Sequence, residues 1–369
     1  MKENTLVITK EPLAGDTLSN LLRLLVQNRF KIDFRYMPRM LYAITISSIM
    51  APFRIKEHIT FEKTIKETEI KHDPIFILGH WRSGTTYLHN ILSLDKNLGY
   101  FSTFHAMLPG VFLGCEKRFK PFVASSIPKK RPMDDVSMRA DLPQEDEYAI
   151  STLSPYSINH SLCFPRNAEF YNRFVCMDNI SKNVIEEWKE IYLYLLKKET
   201  LYRDGKRLVL KNPANTARVK LLIELFPDAR FAHIYRNPYH LYFSMMRFLS
   251  SIIPFLCMQK PPEIEEAEKQ MMQTYKQIYK KYFKEKRHIP KENLVEIRYE
   301  DFVQHPLEKI RGIYTYLHLD GFQKSEKTFK KYIASQKNVK TYTYKMDEDL
   351  KEKIYKEWRF AFDKFGYER

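Results

Sequence analysis

The stretch Gly79-His-Trp-Arg-Ser-Gly-Thr-Thr86 spaces two glycines as in the phosphate-binding pattern G-x-x-x-x-G-K-[ST], with Thr85 where that pattern has lysine. In a nucleoside-triphosphate site the lysine reaches the β- and γ-phosphates. The next hydroxyl holds magnesium together with an Asp from a neighbouring strand. Here the lysine is missing, and the run Phe231-Ala-His-Ile-Tyr235 leads into Arg236 rather than an Asp. What survives is a row of backbone N–H groups at a helix start, the hydroxyls of Ser83, Thr85 and Thr86, and one cation, Arg82, inside the loop. Such a loop takes an anion without a metal. A mixed phosphate–sulfate anhydride suits it better than a triphosphate, because it carries less charge to neutralise. Arg236 would serve a second anion together with Ser244, eight residues on and about two turns into a helix opening at Pro238. An adenosine nucleotide with a separate 3′-phosphate would use both groups. Alone, the loop is equally an ordinary strand-to-helix turn and Arg236 a surface ion pair; the conjunction argues against that.

These residues need elements that bring them to one edge. Ile75-Phe-Ile-Leu78 is a short apolar run between Pro74 and Gly79, followed by Leu88, Ile91 and Leu92 at helical spacing. The same order returns at Arg207–Lys211 with the helix before Pro227, and at Arg230–Tyr235 with the helix from Tyr239 to Leu249. It returns again at Leu294–Arg298 with the helix from Pro306 to Leu317. Strands alternating with helices predict an α/β fold, a P-loop-like parallel β-sheet flanked by helices, with its ligand at the carboxyl ends of the strands. Further helices are expected over Ile264–Phe283 and Leu350–Phe362, the latter stopped by Gly366. The proline-rich, acidic segment from Tyr100 to Pro165 reads as a long loop on the acceptor side. Residues 1–73 read as an N-terminal helical segment packed on the core, and residues 74–369 as the catalytic domain.

The chain of 369 residues carries a net charge of +16, so its surface should attract nucleotides, sulfated or phosphorylated molecules, or anionic membranes. Nothing in it calls for nucleic acid. The four cysteines form no C-x-x-C pair, which suggests neither a zinc site nor a disulfide framework and fits a reducing compartment. No metal is expected. The N-terminus has no basic segment followed by an apolar core, so the expected location is cytoplasmic. The apolar run Leu41–Met50 is too short to span a bilayer. It reads as a core-packed helix, with peripheral membrane contact aided by Arg35 and Arg39 as the alternative. The sequence sets no oligomeric state.

From about Pro74 to the C-terminus the chain resembles the sulfotransferases that use 3′-phosphoadenosine 5′-phosphosulfate (PAPS), through PIFILGHWRSGTT and FAHIYRNPYHLYFS. The segments RPMDDV and LPQEDEYA further resemble the bacterial branch, and the whole resembles gut-bacterial enzymes acting on sterols and steroids. The resemblance implies that Arg82, Ser83, Gly84, Thr85 and Thr86 bind the 5′-phosphosulfate, and that Arg236 and Ser244 bind the 3′-phosphate. By the same resemblance Tyr299, with Tyr87 as a second aromatic, contacts adenine, and Lys337 and Lys340 belong to a basic segment folding over the donor. Trp81 departs from the smaller residue usual before the loop arginine.

Sulfuryl transfer needs an acceptor hydroxyl in line with the breaking bond, a base for its proton, and cations for the leaving phosphate. Lys211 and Arg82 are the expected cations. The histidine that cytosolic relatives carry two residues after the lysine is Pro213 here. Glu145 or Glu147 in the acidic segment would then be the base, with His105 as competitor. Apolar residues at Phe101, Phe104, Met107, Leu108, Val111 and Phe112, and again from Met245 to Leu256, favour an apolar alcohol such as a sterol or steroid, held by helical insertions that form the acceptor pocket. A carbohydrate or glycolipid acceptor is the alternative. From another class, so is a P-loop-type nucleotide-binding protein without this activity.

Overall fold

The structure, a computed structural model, describes residues 8, 11–131, 134, 136–336 and 346–369. In chain order its helices are α1 (Leu18–Gln27), α2 (Met37–Glu67), α3 (Thr85–Leu92), α4 (Thr103–Met107), α5 (Phe112–Ser126) and α6 (Asp146–Leu153). There follow α7 (His160–Cys163), α8 (Ala168–Cys176), α9 (Lys182–Tyr202), α10 (Val219–Leu225) and α11 (Pro238–Leu256). The chain ends with α12 (Ile264–Glu285), α13 (Tyr299–Gln304), α14 (Pro306–Tyr316), α15 (Phe322–Ser335) and α16 (Glu348–Phe365). The strands are β1 (Ile75–Leu78), β2 (Leu98–Gly99), β3 (Arg207–Lys211), β4 (Arg230–Tyr235) and β5 (Leu294–Arg298). The chain divides into two compact units, Met1–Lys71 with Phe101–Gly205 and Ser250–Ile264, and His72–Tyr100 with Lys206–Leu249 and Glu265–Arg369. The helical N-terminal segment groups with residues 101–205 and 250–264.

The second unit holds the sheet, ordered β2-β3-β1-β4-β5 with every pairing parallel. All four residues of β1 are buried, as expected of a central strand covered on both faces, and Ile77 lies in register with both Lys211 and Ala232. Parallel pairing brings the carboxyl ends of β1, β3, β4 and β5 to the same edge, so Gly79, Lys211, Arg236 and Tyr299 all follow from that edge. Ile75, Ile77, Leu88, Ile91, Val209 and Ile234 form the core beneath it with Phe302 and Ile313. Tyr275 of α12 stacks on Trp358 of α16 at 3.9 Å between ring centroids, and the Trp358 indole donates to the Met272 carbonyl at 3.1 Å. Gly366 ends α16 at φ 67°, a left-handed cap that costs a glycine little.

The first unit is helical, including about half of the segment expected to be a loop. Residues 103–107, 112–126 and 146–153 are helices α4 to α6, and Pro121 is accommodated inside α5. Phe104, Leu108, Val111 and Phe112 pack with Met50 and Val123 into this unit's core, and Phe101 is equally buried. These side chains fill the core rather than line a pocket, because each α4–α5 face turned inward is apolar. Charged pairs are buried here as well. Lys198 of α9 pairs with Glu57 of α2, and Arg39 pairs with Glu11. Arg39 is therefore committed inside the unit and does not aid membrane contact. Burial lifts the Glu11 carboxyl to about 7 despite the Arg39 charge beside it.

Candidate active site

The loop after β1 is held open by its own backbone. Gly79 sits at φ 141°, where a Cβ would overlap the Ile234 carbonyl, and its N–H donates to the Thr216 hydroxyl at 2.7 Å. The N–H and hydroxyl of Ser83 both donate to the His80 carbonyl, at 3.1 and 2.8 Å, closing the turn. Gly84, at φ 104°, caps α3 without a side chain, and a Cβ there would overlap the Tyr299 ring. Only glycine lets the loop approach that ring. The first N–H groups of α3, beginning at Thr85, therefore have no side-chain cap from Gly84, which is the arrangement that attracts anions to a helix start.

Arg82 takes φ 71°, a left-handed backbone that is costly for any residue with a Cβ. Its Nε donates to the Ser244 hydroxyl at 3.1 Å, and its carbonyl accepts from Arg236 Nη1 at 3.1 Å. The Arg236 guanidinium lies 4.5 Å from the centre of the Tyr299 ring, and its Nε is buried with no hydrogen-bond partner. Arg82, Ser244, Arg236 and Tyr299 thus form one connected cluster at the ends of β1, β4 and β5.

Lys211, at the end of β3, is 2% exposed. Asn212 beside it accepts from the Ala214 N–H at 3.0 Å and starts the turn that delivers Thr216 to Gly79. Beneath Lys211, burial and then the Lys211 charge push His89 down to about 3, so the imidazole is neutral and its Nε2 stands 3.2 Å from the Val209 carbonyl. His80 is likewise pushed down by burial, to about 4. The Tyr87 ring lies 5.2 Å from that of Phe302, on the core side of α3. Lys337 and Lys340 lie outside the described residues.

The three candidate bases belong to the first unit. Glu145 is half-buried at the start of α6. Glu147 is buried and accepts from the Ser157 hydroxyl at 2.8 Å. His105 is also buried, with Nδ1 at 2.9 Å from Glu199 and its ring stacked on Phe112 at 4.3 Å. Burial alone would lower the His105 pKa, but the Glu199 charge and the hydrogen bonds to Glu116 and Glu199 outweigh it and hold the pKa above its ordinary value. Thr216, Asn212 and Glu199 were not singled out from sequence. Their partners lie 137, 2 and 94 residues away, and for the two distant pairs no local spacing marks the contact.

A parallel sheet whose central strand feeds a glycine-bounded anion loop, with cations delivered from the neighbouring strand ends, places this chain among α/β proteins of the phosphate-loop kind. More particularly, it belongs to the sulfotransferase family, whose model matches residues 74–324. It is 29% identical over 356 residues to the omega-hydroxy-beta-dihydromenaquinone-9 sulfotransferase Stf3 of Mycobacterium bovis and of Mycobacterium tuberculosis, covering 96% of this chain and 91% of theirs. Its fold is similar to that of sulfotransferase STF9 from Mycobacterium avium, with TM-score 0.68, 15% identity, and 96% and 97% of the two chains covered. Sulfotransferase STF1 from Mycobacterium tuberculosis is similar too, with TM-score 0.65, 16% identity, and 92% and 91% covered.

Proposed function

We propose that the protein transfers the sulfuryl group of PAPS to the hydroxyl of an apolar small-molecule acceptor, releasing 3′-phosphoadenosine 5′-phosphate. The observation that carries this is the fastening of Arg82, whose side chain bonds Ser244 while its carbonyl bonds Arg236. Two cations are thereby held side by side, one in the loop and one beyond it, and the buried, unpartnered Arg236 Nε leaves a donor for a second anion. A donor with two separated anionic groups fits that set, and the loop amides with Ser83, Thr85 and Thr86 would hold its 5′ end.

In the reaction the acceptor oxygen forms a bond to sulfur as the bond from sulfur to the bridging oxygen breaks. Lys211 and Arg82 meet the charge left on the phosphate, and a carboxylate takes the hydroxyl proton. Glu145 is assigned as that base. Glu147 is fully buried, His105 is held towards its protonated form by Glu199, and Glu145 is the more exposed of the two carboxylates, half-buried at a helix start. Tyr299 positions Gly84 and Arg236 and contacts adenine.

The acceptor assignment draws on α11, where Met246, Phe248, Ile252 and Leu256 stay half-exposed beyond Ser244, and on the substrate named for Stf3, a hydroxylated menaquinone. Prenylated quinols and sterols both fall in this class. Incubation with PAPS and a panel of hydroxylated menaquinones, sterols, bile acids, phenols and glycans, read by mass for one added sulfuryl group, tests it. Sulfation of glycans alone would overturn the acceptor. Stabilisation by ATP with magnesium, but not by metal-free 3′-phosphoadenosine 5′-phosphate, would overturn the donor.

A further inference from the structure

In the first unit, exposed apolar side chains recur from α1 through the connection into α2: Val26, Phe30, Phe34, Leu41, Ile55 and Ile59. Phe34 is 91% exposed and Ile59 76%. Single exposed apolar residues need no explanation, but this run is ordered. At 100° per residue, Met37, Leu41, Pro52, Ile55 and Ile59 fall within a sector of roughly 60° on α2. Met40, Ala43, Ser47, Met50 and Glu57 are buried on the opposite side. A surface helix ordinarily turns charged or polar residues to solvent; from Met37 to Ile59 this outer sector of α2 is apolar except for Ser48.

Charge surrounds this face. Between Thr17 and Lys56 the sequence has seven Lys or Arg and one acid, Asp33. Arg29, Lys31, Arg35 and Lys56 are exposed, whereas Asp33 is neutralised by Arg166 at 2.6 Å. Phe255, also exposed, is tied to the same region because Arg39 donates to the Phe255 carbonyl and to that of Cys257. Among the described residues no helix is long and apolar enough to cross a membrane. Apolar side chains flanked by cations on helices of this kind match the chemistry of an anionic lipid surface, with the rings and aliphatic chains at the acyl boundary and the cations among headgroup phosphates.

We infer that residues 22–59 form a docking face for an anionic bilayer. This stands on the exposed surface alone and does not depend on the identity of the acceptor. The test is flotation of the purified full chain with vesicles of phosphatidylcholine alone and of phosphatidylcholine mixed with phosphatidylglycerol, at low and high salt. The chain should float with the anionic vesicles and be released by salt. Each of Arg29→Glu and Arg35→Glu should weaken binding by about five-fold or more. The triple variant Phe34→Ser/Leu41→Ser/Ile59→Ser should lose it while melting like the parent, since all three side chains are exposed. No flotation with either vesicle, or wild-type flotation by the triple variant, overturns the inference. So does a dimer, seen by light scattering without lipid, that the triple variant dissolves, because a second copy would then cover the face. Flotation uses no donor or acceptor, so its outcome is separable from that of the sulfuryl-transfer assay.

Discussion

Arg82, the cation proposed to assist transfer, sits on a left-handed backbone, and two substitutions separate the two features. At φ 71° an L-residue carries a cost of about 1–2 kcal/mol that glycine does not. Glycine in turn lowers stability by about 0.5–1 kcal/mol relative to alanine at ordinary positions, through its freer unfolded chain. At Arg82 the first effect outweighs the second, so Arg82→Gly should be more stable than Arg82→Ala by roughly 0.5–1 kcal/mol, reversing the usual order. For a chain of this size that is a rise in melting temperature of about 1 °C. Both variants lack the guanidinium that bonds Ser244, so both should lose turnover by about 10²–10³-fold. Thermal unfolding of the two proteins, followed by rates at saturating PAPS, reads both effects. An alanine variant more stable than the glycine variant would refute the strain at Arg82, and near-normal rates in either would refute its role in transfer.

Lys211→Ala should cost a comparable 10²–10³-fold in rate while leaving a folded protein, checked by turnover and circular dichroism. Thr216→Val removes the acceptor of the Gly79 N–H and should destabilise the fold by about 1–3 kcal/mol in urea titration, with Thr216→Ser restoring most of it. Because the His89 pKa is lower folded than unfolded, the unfolded chain binds the extra proton. Its contribution is full above pH 6.5 and is lost as pH falls towards 3. Wild type should therefore lose about 1 kcal/mol more than His89→Gln between pH 7.5 and pH 5.5, and equal losses would contradict a buried neutral imidazole. Among Glu145→Gln, Glu147→Gln and His105→Ala, compared at saturating donor, Glu145→Gln should slow transfer by about 10²–10⁴-fold without loss of stability. The other two should act mainly by lowering the melting temperature.

The sheet was largely legible because its signals are local. Apolar runs bounded by Pro74 and Gly79, or ending at Lys211 and Arg236, mark strands and their loops directly, and β1, β3, β4 and β5 occupy those runs. The two residues of β2 are too few to produce a period. Residues 100–165 read as a loop because three of their helices have eight residues or fewer and Pro121 within the fourth disfavours a helix by propensity, so packing rather than propensity holds them helical. α2 showed only its apolar middle, since its outer face is also apolar and no helical alternation emerges. Candidate bases were hardest to rank. What separates Glu147 and His105 from Glu145 is their full burial, and sequence does not show how deeply each side chain is buried.

The pairing of Glu57 with Lys198 bears on how the gene can be cut. Residues 74–324 carry the family's recognisable pattern, and trimming to them looks like a natural economy. Yet α2 would leave with the removed end, taking the Glu57 carboxylate from the Lys198 ammonium and from the Gly114 N–H, which it accepts at 2.7 Å. The Lys198 ammonium, 1% exposed with α2 in place, would lose the carboxylate bonded to it and be uncovered at the same time. Glu57 and Lys198 are thus two halves of one charge balance set 141 positions apart, and a chain cut between them keeps only one half.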